Sequence, residues 1–110
     1  MIMLMKAIYR EEARNENMIT EYKKELETLP RGKITPKNVN GNTYYYLYYR
    51  NGKNVVSKYI GKDEGSLIVV REQLIRRTQI EQIIKKLREE KKKIKKLEAM
   101  LWYYTTVVIW

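Results

Sequence analysis

Ten tyrosines and twenty-three basic side chains are the residues of this 110-residue chain whose chemistry stands out. Seven of the cations (Arg31, Lys33, Lys37, Arg50, Lys53, Lys58 and Lys62) fall between positions 31 and 62, where no acidic residue occurs. Six tyrosines share that stretch: Tyr44, Tyr45, Tyr46, Tyr48, Tyr49 and Tyr59. Lysine and arginine neutralise phosphates and release their counterions. Tyrosine rings stack on bases, worth roughly 1–3 kcal/mol per base. Together they suit a polyanion with flat bases. A tyrosine can also attack a phosphodiester, as in DNA-joining recombinases. That chemistry needs arginines and a histidine gathered around the phosphorane-like state, and the chain has no histidine. Cysteine is absent too, which removes thiol nucleophiles, disulfides and Cys zinc sites. There is no Gly-rich phosphate loop, carboxylate metal set or serine triad in the sequence. The expectation is a non-enzymatic protein without a cofactor.

The formal net charge is +10, unevenly spread. Residues 1–30 carry five basic and six acidic groups, residues 31–62 seven and none, and residues 63–110 eleven and seven. The middle therefore holds most of the excess. A localised positive field attracts phosphate backbones, anionic membranes or acidic proteins. No stretch reaches the roughly 18 apolar residues of a membrane span. The opening Met-Ile-Met-Leu-Met run meets charge too soon for a signal peptide. The expected setting is cytoplasmic, with no membrane partner.

The elements that must position these side chains follow from the pattern. At this length one domain is expected. Residues 4–29 read as helix. Met5, Ile8 and Tyr9 share one face, and Ile19, Tyr22, Leu26 and Leu29 continue a seam. Asn15 and Asn17 either interrupt this helix or cap a second one. Pro30 and Gly32 end it.

Residues 33–60 read as a three-stranded antiparallel meander. Its turns are Val39-Asn40-Gly41-Asn42 and Arg50-Asn51-Gly52-Lys53, since Asn-Gly between strand formers signals a type I′ hairpin. The expected register sets Lys37 against Tyr44, Thr35 against Tyr46 and Lys33 against Tyr48. On the other side it sets Tyr44 against Tyr59, Tyr46 against Ser57 and Tyr48 against Val55. Alternation sorts the strands into two faces. Ile34, Pro36, Tyr45, Leu47, Tyr49, Val56 and Ile60 make a core face, with Lys58 as an exception. Lys33, Lys37, Tyr44, Tyr46, Tyr48, Arg50, Lys53 and Tyr59 fall on a basic, aromatic, solvated face. They are the candidate nucleic-acid-binding residues. The competing explanation is plain lysine–tyrosine pairing on a soluble sheet, because tyrosine favours strands and edge lysines discourage aggregation.

Residues 61–65 form a connector, and a helix runs from Ser66 to about Leu101. Leu67, Val70, Leu74 and Ile75 form an apolar face able to cover the sheet. Ile80, Ile83, Leu87, Ile94, Leu97 and Leu101, with Glu90 in the skipped place, form a heptad seam. That far half must pair with the N-terminal helix, folded back antiparallel, or with a second copy of the chain. Lys85, Lys86, Arg88, Lys91, Lys92, Lys93, Lys95 and Lys96 flank the seam; a solvated coiled-coil face explains most of them. The tail, Trp102 to Trp110, is uncharged and is expected to be buried as a strand or an apolar extension, within the protomer or between chains. The class is thus α+β: an N-terminal helix, a three-stranded meander, a long coiled-coil-like helix and an apolar tail.

The segments Leu29-Pro-Arg-Gly-Lys-Ile, Gly41-Asn-Thr-Tyr-Tyr-Tyr-Leu-Tyr-Tyr-Arg-Asn-Gly-Lys and Ser57-Lys-Tyr-Ile-Gly-Lys62, followed by a charged heptad helix, carry a resemblance. The chain is similar, over roughly residues 20–98, to a family of small, uncharacterised bacterial and phage proteins with this hairpin and a trailing coiled coil. The apolar tail departs from that family's charged ending. The hairpin also looks like the N-terminal segment of some insertion-element transposases and the three-stranded arm-binding domains of certain integrases, which implies DNA contact by the sheet. Phage association implies a rival role, inhibition of a host defence nuclease or nucleoprotein complex in the manner of an anti-CRISPR protein, through protein or guide-RNA contacts. The expected partners are DNA or RNA, a host nuclease under the rival reading, and a second copy through the long helix or tail.

Overall fold

The structure is a computed structural model and describes residues 2–108. Its elements, in chain order, are helix α1 (Ile2–Thr28), strands β1 (Lys33–Val39), β2 (Asn42–Asn51) and β3 (Asn54–Gly61), helix α2 (Glu64–Tyr103) and a π-helical turn (Tyr104–Val108). The α+β class and the order of elements are those expected. The chain divides into two compact units. One takes α1 as far as Glu25 and the chain from Ile80 onward; the other runs from Leu26 to Gln79.

In the helical unit, α1 is one unbroken helix. It does not break at Asn15 or Asn17. Asn15 instead lies in the seam, wholly buried, and its Nδ2 donates to the Leu87 carbonyl at 2.8 Å. Its Oδ1 is buried without a hydrogen-bond partner. A lone buried Asn in a helical seam lowers stability and favours one register. Met5, Ile8, Glu12, Asn15, Ile19 and Tyr22, all buried or half-buried, form its seam at spacings of three and four alternately; Met18, Glu25 and Leu26 are half-buried beside it. Tyr9, expected on the seam, is 45% exposed.

The two helices run antiparallel, because Glu12 meets Lys95 at 3.4 Å while Glu16 meets Lys91 at 3.7 Å. Of the two expected ways to cover the far half of α2, the N-terminal helix folded back is therefore present. The seam on α2 corrects the expected one. Its buried and half-buried residues are Ile80, Ile84, Leu87, Lys91, Ile94, Glu98 and Leu101. Glu90 and Leu97 are exposed and Ile83 is half-buried. Both seams share Ile80, Leu87, Ile94 and Leu101 and differ in the positions between. The facing helix decides between them, since its own seam carries Glu12 and Asn15. Lys91 reaches Glu16 from its seam position, and Glu98 lies 3.8 Å from Lys95.

The tail corrects a second expectation. Helix continues through Trp102 and Tyr103 into the π-helical turn, with no strand among the described residues of the tail. Trp102, Tyr103 and Tyr104 are at least half exposed, so they are not buried within the protomer. Ile109 and Trp110, included in that expectation, lie outside the described residues.

In the sheet unit the strands lie in the order β1-β2-β3, antiparallel throughout. α1 ends at Thr28, two residues ahead of Pro30, and Arg77 closes its end: its Nη1 donates to the carbonyls of Leu26 and Leu29, both at 3.1 Å. The Leu26 carbonyl, in the last turn, also accepts from the Leu29 amide at 3.2 Å, so Arg77 adds a second donor there and ties down the carbonyl just past the helix end. α2 starts at Glu64, two residues earlier than expected, because Asp63 caps it. The Ser66 hydroxyl donates to Asp63 Oδ1 at 3.0 Å and the Ser66 amide to Oδ2 at 3.3 Å. Those bonds hold the Asp63 carboxyl below its ordinary pKa. The cap therefore contributes above the ordinary carboxylate range and is lost as pH falls through the lowered value. Leu67 is buried next to the cap, Val70 and Leu74 are half-buried, and Ile75, expected to cover the sheet, is 59% exposed.

Candidate nucleic-acid interface

The β1–β2 register is the expected one, with Lys33 paired to Tyr48, Thr35 to Tyr46 and Lys37 to Tyr44. Asn40 and Gly41 both have positive φ, 54° and 81°, as a type I′ turn requires.

The second hairpin differs. Tyr46 pairs with Tyr59, Tyr48 with Ser57, Arg50 with Val55, and Asn51 with Asn54. The two-residue loop is Gly52-Lys53 rather than Asn51-Gly52. Only Gly52 has positive φ there, 65°, which is the pattern of a type II′ turn with glycine first. The strain falls on the residue that bears it without cost, and Asn51 stays in the strand. The pairing slides by two residues, so every side chain keeps its expected face. Near the far end of β3 an irregularity between Tyr45 and Tyr46 shifts the pairing once more, setting Tyr45 against Gly61.

On the face of Leu47, only Leu47 is fully buried among the strand residues expected in the core. Ile34, Tyr45, Tyr49, Val56 and Ile60 are half-buried, and Pro36 is exposed, a correction that follows from its place on the edge strand. Leu47 and Tyr49 line a cavity of about 420 Å³ with Leu26, Leu29, Lys58 and Arg77. The helical segments therefore cover this face. Arg31 stands 5.3 Å from the Tyr49 ring centroid here, on the side away from the candidate site.

The even-numbered rings of β2 lie on the opposite face and meet one another. Tyr46 is central, 5.4 Å from Tyr59 and 6.4 Å from Tyr48 between ring centroids. Tyr59 lies 6.3 Å from Tyr44. All three contacts are tilted, within the range favoured by aromatic quadrupoles. The result is a continuous row, Tyr48–Tyr46–Tyr59–Tyr44, across two strands. Tyr59 is 53% exposed and the other three are half-buried.

Cations border the row. Lys37 Nζ is 5.8 Å from the Tyr46 centroid and Lys62 Nζ 6.0 Å from that of Tyr44, the cation–π range. Lys33 is exposed beside Tyr48 as its cross-strand partner, and Arg50 is exposed one pair further on. Lys53 is the exception among the candidate residues. It occupies the turn and does not pair with Arg50, because the loop is displaced by one residue. Lys62 is absent from the candidate residues that alternation selects, since it falls in the connector. Only the slide of β3 brings it to Tyr44.

Flat rings ready to stack and cations ready to meet phosphates are what this face offers chemically. Among the described residues, no group of three or more acidic, His or Cys side chains is arranged to hold a metal ion. No helix among them is long and apolar enough to cross a membrane.

A family model for a domain of unknown function, DUF6788, matches residues 8–68, more than half of the chain. The chain belongs to the DUF6788 family. The matched DUF6788 region takes in most of α1, all three strands and the first residues of α2. It therefore contains the tyrosine row and its bordering cations. The basic run of α2 and the tail lie outside it. Searches of curated proteins and of solved structures found no match.

Proposed function

We propose that this chain is a non-enzymatic nucleic-acid-binding module working in a cytoplasmic setting. The solvated sheet face makes the contact. Tyr44, Tyr46, Tyr48 and Tyr59 supply the stacking surface. Lys33, Lys37, Arg50 and Lys53, joined by Lys62, meet the phosphates of DNA or RNA. The observation that carries this reading is the row of four touching rings, turned away from the Leu47 face and bordered by cations. Tyr59 is exposed and Tyr44, Tyr46 and Tyr48 are half-buried, so part of each ring stays open to a ligand.

A salt series on short single-stranded and duplex DNA tests it. Affinity is expected to fall steeply with salt, at about 0.7–0.9 in log–log slope per phosphate neutralised. The Tyr46→Ala/Arg50→Ala double variant should bind at least about 10-fold more weakly, given 1–3 kcal/mol per stacked base. No binding at low salt, or a double variant indistinguishable from the parent, would sink the reading.

A second reading rests on one observation, the exposed apolar end of the helical unit. Ile2, Met3, Met100, Trp102, Tyr103 and Tyr104 are each at least half exposed there. Large apolar patches on a surface mark interaction sites. Under this reading the chain is a phage or mobile-element adaptor that binds and inhibits a host defence nuclease through that end, or dimerises through it. A partner retained after nuclease digestion of a host lysate, and absent with Trp102→Ser/Tyr103→Ser, is the expected result. Sizing that shows a strict monomer and a pull-down that retains nothing would remove it.

A further inference from the structure

The basic run of α2 gathers a second group of cations. Arg88, Lys91, Lys92, Lys95 and Lys96 line one open groove of about 560 Å³ with no carboxylate among its lining residues. Two of the five are committed. Lys91 reaches Glu16 at 3.7 Å, and Lys95 reaches Glu12 at 3.4 Å. Arg88, Lys92 and Lys96 are exposed and form no ion pair among the described residues.

On α1 two pairs of surface charges find local partners. Glu11 pairs with Arg14 at 3.1 Å and Glu21 with Lys24 at 3.3 Å, each one turn apart on α1. The α2 strip does the reverse. Arg88, Lys92 and Lys96 follow at intervals of four, where side chains are neighbours and like charges destabilise a helix. A merely solvated face has no need of that repulsion. Sequences break a local rule in this way chiefly where a function compensates.

We infer that Arg88, Lys92 and Lys96 form a second, sequence-independent contact for a nucleic-acid phosphate backbone, on the helical unit. It rests on the nucleic-acid reading of the sheet face and adds to it. The chemistry is that of the strip itself. It offers three unpaired cations in a row, with no aromatic ring and no acceptor side chain lining the groove, so it suits phosphates and reads no bases. The sheet would supply stacking and the strip electrostatic grip. The strip lies beyond residues 8–68, so it is a feature of this chain outside the matched family region.

The test uses the full chain, a short mixed-sequence DNA duplex and a salt titration. In Arg88→Gln/Lys92→Gln/Lys96→Gln the slope of log affinity against log salt should become shallower by about 2.7, at about 0.9 for each phosphate no longer neutralised. The melting temperature should hold or rise, since glutamine is a good helix former and the repulsion is gone. An unchanged slope with parental affinity overturns the inference and leaves the sheet reading standing. Abolished binding in this variant, together with undiminished binding in Tyr46→Ala/Arg50→Ala, overturns the sheet reading instead and keeps the strip. A variant that binds DNA as the parent does but no longer binds phosphatidylserine vesicles also overturns the inference, assigning the strip to a lipid surface. Should the triple variant unfold, Lys92→Gln alone reads about one third of the effect, and no change there overturns it equally.

Discussion

Gly32→Ala is expected to cost about 3 kcal/mol or more. Gly32 sits between the end of α1 and β1 with φ of +124°, a conformation that side-chain-bearing residues rarely adopt. Space is lacking as well. A Cβ there would run into the Tyr48 carbonyl oxygen and stand 3.0 Å from both the Tyr48 carbonyl carbon and the Tyr49 Cβ. The colliding atoms are backbone, or the first atom of a side chain fixed by the strand, so little can give way. Relief would require moving β1 off β2 at the Lys33–Tyr48 pair, which is one end of the tyrosine row. Denaturant unfolding reads the stability. A variant within about 0.5 kcal/mol of the parent, the range of an ordinary surface change, would show that the close approach is not as tight as described.

Ile84→Ala and Leu97→Ala should differ widely. Ile84 is 5% exposed and Leu97 48% exposed, although both are apolar and both flank the same heptad positions. Truncating Ile84 removes buried methyl groups and leaves a cavity, at about 2–5 kcal/mol. Truncating Leu97 trims a side chain already half in water, and the cost should stay under about 1 kcal/mol. Thermal or urea unfolding of the two variants compares them directly. Equal destabilisation, or a larger effect at Leu97, would mean that the helix is rotated toward the seam through Ile83 and Leu97.

That comparison also marks where sequence ran out. The seam through Ile83 and Leu97 is the more apolar of the two phases, and periodicity alone prefers it. The structure turns α2 instead so that Lys91 and Glu98 occupy seam positions, because the facing helix brings Glu12, Asn15 and Glu16 to the same layers. A pattern within one helix contains no information about its partner's polar residues. Asn15 shows the same limit. In isolation it reads as a break or a cap, and only its hydrogen bond to Leu87, seventy-two residues away, gives it a place inside. Trp102, Tyr103 and Tyr104 read in the sequence as buried, within the protomer or between chains, and stand exposed on this protomer, because apolarity does not reveal where a covering surface lies.

The sheet was legible to a greater depth. Alternation separated Tyr44, Tyr46, Tyr48 and Tyr59 from Leu47, and the first Asn-Gly turn settled the β1–β2 register. The shared face of Tyr44, Tyr46 and Tyr48 followed from that much. The second turn reads as Asn51-Gly52 in the sequence, and the structure corrects it to Gly52-Lys53; both are two-residue loops and both preserve the faces. The tertiary structure took the one that confines positive φ to glycine, and thereby moved Tyr59 beside Tyr46 and Lys62 beside Tyr44. Local rules with a period of two determined which side of the sheet the rings and cations take. Which of them touch, and which phase of the long helix is buried, depended on partners distant in the chain, where only packing distinguishes alternatives of equal local merit.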